Sequence, residues 1–205
     1  GNDDKGIVIK YAFQSEHGGL ELQVEQELAA RVTSIAIIED LLFGLFDPVV
    51  VGGERRVIAL DKNTLAQRAS FPLPWEGRAE DMCAHAGQLF ISCQSTHTIR
   101  VLSTTGEELR VISGEFRCPT ALDIFDERIY LLASRHHDEV DVDDEQDFFP
   151  EVHVLTLDGV DTQPPFRISP DPGQSGIDCL SICATRNCVY LSDWVSSQVD
   201  AIAFA

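Results

Sequence analysis

An aromatic residue set between apolar neighbours returns four times along this chain, at Phe43, Phe90, Tyr130 and Tyr190. Eight residues before each stands another apolar residue: Ile35, Met82, Leu122 and Ile182. Leu42, Leu89, Ile129 and Val189 precede the four anchors, and Gly44, Ile91, Leu131 and Leu191 follow them, so only the glycine departs from the pattern. A further apolar run comes after each anchor, over 56–60, 99–102, 152–155 and 199–202. Short runs rich in β-branched and aromatic residues, bounded by turn residues, read as strands buried on both faces. In Asp81–Leu102 the pattern gives strands at Met82–Ala84, Leu89–Ser92 and Ile99–Leu102.

Turn residues close three of the copies, at Asp61-Lys62-Asn63, Thr104-Thr105-Gly106 and Asp158-Gly159, and suit a hairpin into a fourth strand. The N-terminal stretch supplies a partial copy, with strands at Ile9–Phe13 and Leu20–Val24 around a Gly18-Gly19 turn. Units of four strands at this spacing are what the blades of a β-propeller need. The expectation is an all-β chain: one β-propeller domain over 1–205, or part of one, of four-stranded antiparallel blades. About four to five blades are expected: a partial blade at 7–25 and blades at 33–70, 80–113, 120–168 and 179–204. Because the chain opens inside one unit and stops after a third strand, its sheet edges are left unpaired unless the two ends complete one blade together, a partner covers them, or the chain is part of a larger ring. The larger ring is the expectation, since both ends supply a third strand.

The copies resemble NHL-type propeller repeats. Pro119-Thr120-Ala121-Leu122 carries that family's opening and Tyr190-Leu191-Ser192-Asp193 its middle, while the spacing from Phe90 to Ile99 equals that from Tyr190 to Val199. Cys93 departs from the loop-opening Asp, and Thr96 and Ser196 stand where the family often has Asn. The resemblance covers roughly residues 7 to 204. It implies a rigid ring that binds partners through its loops, and in some members the partner is RNA.

The net charge of −19 argues against nucleic acid, since affinity there rests on Lys and Arg neutralising phosphates. A basic protein is the compatible partner, although acidity also serves plain solubility. No apolar run approaches the ~20 residues of a membrane helix, so no membrane insertion is expected. The six cysteines show neither zinc-site spacing nor a secreted mini-domain framework, and reduced thiols in a cytoplasmic setting are expected. Cys183 and Cys188, either side of a short turn, alternatively pair with each other or hold a metal.

Propeller topology sorts the loops. The link between second and third strands and the link to the next blade emerge on one face, and the two hairpins on the other. Every long segment falls in the first class: Phe46–Arg55, Phe71–Gly77, Arg135–Pro150 and Gln163–Gly173. Arg135–Pro150 holds a run of acids, Asp138, Glu139, Asp141, Asp143, Asp144, Glu145 and Asp147, followed by Phe148 and Phe149. These residues and Trp75 are the candidate partner-binding set, because elaborated loops on a rigid scaffold carry binding. The competing readings are a solvated acidic loop and, for Trp75, a packing plug between blades rather than a hot-spot anchor.

No nucleophile elbow, zincin, Walker or dinucleotide motif is present, and 141–152 fails as an EF-hand, with Gln146 at the glycine position and Val152 at the glutamate position. The expectation is therefore a non-catalytic scaffold for protein–protein interaction, with no catalytic residues and no cofactor. The alternative is a calcium-dependent, lactonase-like hydrolase. In it Glu80, Asp81, Asp123 and Asp178, near the starts of the inner strands, converge on the channel axis as oxygen ligands. The competing reading of those acids is that they cap strand ends or bond neighbouring backbone amides.

Overall fold

Two-residue turns with left-handed backbone set the rhythm of the chain. Ala86 and Gly87 have φ of 48° and 75°, and Asp126 and Glu127 have φ of 51° and 58°. Positive φ at both central residues is the type I′ geometry whose twist matches that of paired strands. The computed structural model describes residues 6–14, 19–28, 31–47, 54–133, 150–168, 179–185, 188–193 and 198–203. All elements among them are strands.

They form five antiparallel sheets. The first is a hairpin, β1 (Gly6–Gln14) with β2 (Gly19–Leu28). The second sheet runs β3 (Arg31–Ile38), β4 (Leu41–Asp47), β5 (Arg56–Asp61), β6 (Gln67–Pro72). The third runs β7 (Ala79–His85), β8 (Gln88–Cys93), β9 (Thr98–Ser103), β10 (Glu108–Ser113). The fourth runs β11 (Pro119–Phe125), β12 (Arg128–Ala133), β13 (Glu151–Thr156), β14 (Phe166–Arg167). The fifth has three strands, β15 (Cys179–Ala184), β16 (Cys188–Asp193), β17 (Gln198–Ala203). Each is an up-and-down meander in chain order. The four anchors fall on β4, β8, β12 and β16. Part of the stretch 163–173, expected as a link, is the fourth strand β14, because Phe166 pairs with Val152.

At the last residue of β5, β9 and β13 a side-chain oxygen builds the hairpin turn. Asp61 Oδ1 accepts from the Asn63 and Thr64 amides at 3.0 and 2.9 Å. Ser103 Oγ accepts from Thr105 and Glu107, and Thr156 Oγ1 from Val160. Such local bonds let Asp, Ser and Thr replace ladder bonds at turns. The Arg68 guanidinium, 2.9 Å from Asp61 Oδ2, holds that carboxyl far below the usual carboxylate range, helped by the Thr64 and Asn63 amides.

The sheets stack face to face, and alternation along each strand decides which side chains enter which junction. In the first junction Ala36, Phe43 and Ala59 meet Met82, Leu89 and Ile91. In the second, Phe90 and Val101 meet Leu122, Ile129 and Leu131. In the third, Tyr130 and Val154 meet Ile182, Val189 and Leu191. The glycine that breaks the repeat has a physical partner: a Cβ on Gly44 would lie 2.8 Å from the Phe46 ring. Phe46, fully buried, fills the space that Ile91, Leu131 and Leu191 fill in their own sheets.

The outer rim uses a second recurring contact. Phe71 on β6 covers Gly106 in the next sheet's turn, where a Cβ would come within 2.5 Å of its ring. Ile112 on β10 covers Gly159 in the same way, at 2.2 Å. Both glycines have φ near +88°, a backbone that only glycine adopts without strain.

Candidate functional site

The first strands of the four larger sheets, β3, β7, β11 and β15, lie side by side. Each is the edge strand of its sheet. An edge strand carries backbone N–H groups with no ladder partner, and these need acceptors from elsewhere.

Side chains from the preceding sheet supply them. Ser34 Oγ accepts from Met82 N–H at 3.0 Å and donates to Asp81 Oδ1 at 2.6 Å. Asp81 Oδ2 accepts from Leu122 N–H at 3.0 Å, and Oδ1 from Met82 N–H at 2.8 Å. Asp123 Oδ2 accepts from Ala184 N–H at 2.8 Å, and Oδ1 from Ile124 N–H at 2.8 Å. Ser34 and Asp81 occupy the same repeat position, and each reaches the residue one further on in the next sheet. Asp123 does the same from two residues along, since Ala121 at the equivalent position has no acceptor. Ser92, fully buried on β8, adds a bond from Asp81 N–H at 3.0 Å.

Burial pushes the Asp81 carboxyl up from the usual carboxylate range, and the nearby Asp123 charge adds to it. The Ser34 hydroxyl and the Leu122 and Met82 amides pull the other way. Of the four acids named from sequence, Asp81 and Asp123 therefore sit together on the inner strands with their oxygens engaged by backbone amides. Glu80, on the opposite side of β7 from Asp81, pairs with Arg78 at 2.5 Å. Asp178 lies outside the described residues. Among the described residues no group of three or more His, Cys, Asp or Glu is placed to hold a metal ion.

The loop-borne set divides as well. Asp138, Glu139, Asp141, Asp143, Asp144, Glu145, Asp147, Phe148 and Phe149 lie outside the described residues, as do 48–53 of the Phe46–Arg55 stretch. Trp75 is described. It is half-buried, packed against the first junction, with the Arg100 guanidinium 4.9 Å from its ring centre. Arg100 in turn pairs with Glu108 at 2.7 Å. The packing-plug reading fits this position, because the ring fills the seam between two sheets.

Cys83, Cys93, Cys118, Cys183 and Cys188 are free thiols. Burial pushes the Cys93 thiol up to about 12 and the Cys83 thiol well above its ordinary value. Neither has the character of an activated nucleophile. His153, fully buried on β13, was not singled out from sequence. Its Nδ1 lies 3.2 Å from Asp161 Oδ1, and its ring meets Phe116 edge to face. The two partners are eight and thirty-seven residues away, and only the fold brings them together.

No protein-family model matches the sequence, and neither does any curated protein. Solved structures do match. BamB from Moraxella catarrhalis overlays 97% of this chain and 52% of its own, at 14% identity and a TM-score of 0.54. A chain of a nidogen/laminin complex overlays 97% of this chain and 89% of its own, at 11% identity and a TM-score of 0.56. The computationally designed Ika4 protein overlays 86% and 92%, at 12% identity and a TM-score of 0.52. This chain thus spans about half the length of BamB. These likenesses, with the radial series of meanders, establish that the chain folds as β-propeller sheets.

Proposed function

We propose that this chain is a non-catalytic, NHL-like propeller scaffold within a larger protein or assembly, and that it binds a basic protein partner. The single observation that supports the reading is the fate of the inner-strand carboxylates. Asp81 and Asp123 spend their oxygens on backbone amides of the next sheet, which is work done for the scaffold. The long stretches expected from sequence to carry binding join β4 to β5, β6 to β7 and β12 to β13, so the described strand ends they connect share one end of the sheets. At the opposite end the strands turn through pairs such as Ala86-Gly87 and Asp126-Glu127.

The acids at 138–147 give that end an attraction for Lys- and Arg-rich surfaces, and the net charge of −19 extends its reach at low salt. The test is affinity capture with the wild-type chain and with a variant in which the seven acids Asp138 to Asp147 become Asn or Gln. A partner retained by the first, released by salt and lost from the second supports the proposal. Equal retention by both rejects the loop as the binding element.

A further inference from the structure

The outer strands of the four-stranded sheets are guarded unevenly. The free edge of a strand offers alternate N–H and C=O groups to any extended chain, and proteins blunt it with prolines, charges or shortness. β6 ends at Pro72 and presents Gln67 and Arg68 to solvent. β14 has two residues and follows Pro164-Pro165. β10, the outer strand of the third sheet, has six residues and no proline. Its two charges are taken up in pairs within the fold, Glu108 with Arg100 at 2.7 Å and Arg110 with Asp158 at 3.1 Å. It shows Leu109 and Val111 to solvent, 46% and 43% exposed.

A bulge lies at the start of β10, between Glu108 and Arg110, and from Arg110 to Ser113 the strand pairs with β9 in unbroken register. The bulged Leu109 extends that regular edge. Val111 pairs across to Arg100, whose guanidinium lies over Trp75. Phe71 lies over Gly106, three residues before Leu109. Two aromatic rings from the segment before β7 thus stand beside the exposed apolar pair. The charge around it is uneven. Near the start of β10, exposed Glu107 joins Glu108 and Asp158 against the guanidiniums of Arg100 and Arg110, an excess of acid. Past its end, exposed Glu115 and Arg117 balance.

We infer that β10 is a docking strand: an extended segment of a partner protein, alternating apolar and basic residues, adds to its free edge and lengthens the third sheet by one strand. An open backbone edge is satisfied by another peptide chain. Leu109 and Val111 suit branched apolar side chains lying opposite them. The acid excess beside Glu107, in a chain of charge −19, suits Lys or Arg. A second copy of this chain brings the wrong charge. The docking strand lies on the rim, and the inference does not rest on the acids at 138–147.

The probe is a synthetic heptapeptide, Lys-Val-Lys-Val-Lys-Val-Lys, titrated to roughly 1 mM into the 205-residue chain and followed by backbone-amide NMR. Saturable binding is expected, with the largest shifts at 109–115. Methylating every interior amide of the peptide keeps its charge and side chains but removes its strand donors, and should weaken binding by about tenfold or more. Leu109→Ser with Val111→Ser should weaken it by a similar factor. Both positions are exposed, and if that variant misfolds, the methylated peptide and the location of the shifts still decide. The variant with Asp138 to Asp147 neutralised should keep its shifts at 109–115, which separates this inference from the binding role of those acids. Absence of saturation overturns the inference. So does equal binding of the methylated peptide, which means attraction by charge alone, and so do shifts centred away from β10. A chain that doubles its mass in sedimentation, and no longer does so with the two serines, also overturns it, since β10 then pairs with its own copy.

Discussion

Asp81 on one inner strand accepts the Leu122 amide of the next at 3.0 Å, and Ser34 stands to Met82 as Asp81 stands to Leu122. One position of the repeat thus carries the stitch at the first two junctions, and Asp123, two residues further along its strand, carries it at the third. Removing it leaves buried N–H groups without acceptors. Asp81→Ala should lower unfolding free energy by about 1–3 kcal/mol, the cost of orphaning a buried donor. Urea unfolding measures it, and an unchanged midpoint would show the bond to be dispensable.

The same carboxyl predicts a pH dependence. Its folded value is raised above the 3.8 of an ordinary carboxyl, chiefly by burial. The folded state then holds a proton that the unfolded state releases, so this contribution is fully present below about pH 4 and is lost as pH rises through the raised value. Asp81→Asn cannot titrate. The wild type should lose more stability than Asp81→Asn between pH 4 and neutrality, read as the change in urea midpoint. Parallel profiles would refute the assignment.

Gly106 and Phe71 make a testable pair on the rim. Gly106→Ala places a methyl against the Phe71 ring at a φ of +88°. A loss of about 1–3 kcal/mol is expected from the two effects together. Phe71→Ala relieves the clash but not the backbone, so the double variant should recover part of the loss beyond additivity. A strictly additive cycle would mean that the ring moves aside freely.

Trp75→Ala should destabilise by roughly 1–3 kcal/mol, since a large ring leaves the seam between two sheets and Arg100 loses its stacking partner. Any accompanying fall in partner binding has to be compared with an equally destabilised control, such as Ile112→Ala at another seam. Only a loss greater than that control's places Trp75 in the binding surface.

Thiol labelling separates the cysteines. At pH 8 Cys93 and Cys83 should resist a disulfide reagent until the chain unfolds, because burial holds their thiols protonated. Cys183, exposed on β15, should react in the folded monomer. Rapid labelling of Cys93 in native conditions would contradict the packing of the first junction.

Calcium titration by calorimetry is expected to give no heat and no thermal shift, as Asp81 and Asp123 have their oxygens turned to amides. A saturable signal that disappears in Asp123→Asn would instead favour the hydrolase alternative.

The repeat was legible because the anchor and its flanking apolar residues hold fixed offsets in all copies except at Gly44, and alternation places them in the junctions. Gly44 looked like a defect, and its compensation by Phe46 two residues on could have been noticed, since both lie on one face of β4. The inner acids were legible as a cluster near the strand starts. Whether they faced a ligand or a backbone amide was not, because the donors at Leu122 and Ala184 are 41 and 61 residues away. Gly106 read as a turn residue, and its contact with Phe71 depends on how neighbouring sheets splay. The contact of Trp75 with Arg100 could not be read from sequence, because the two lie 25 residues apart and on different segments of the fold. Phe166-Arg167 was absorbed into a link because a two-residue strand flanked by prolines has no periodicity to reveal it.

The neighbour-only character of the stitches has an evolutionary corollary. A sheet that touches one predecessor and one successor makes no demand on any other part of the molecule. Duplication of one copy within the gene would insert a unit whose two borders already match those on either side, so such a protein can lengthen without reworking what it has.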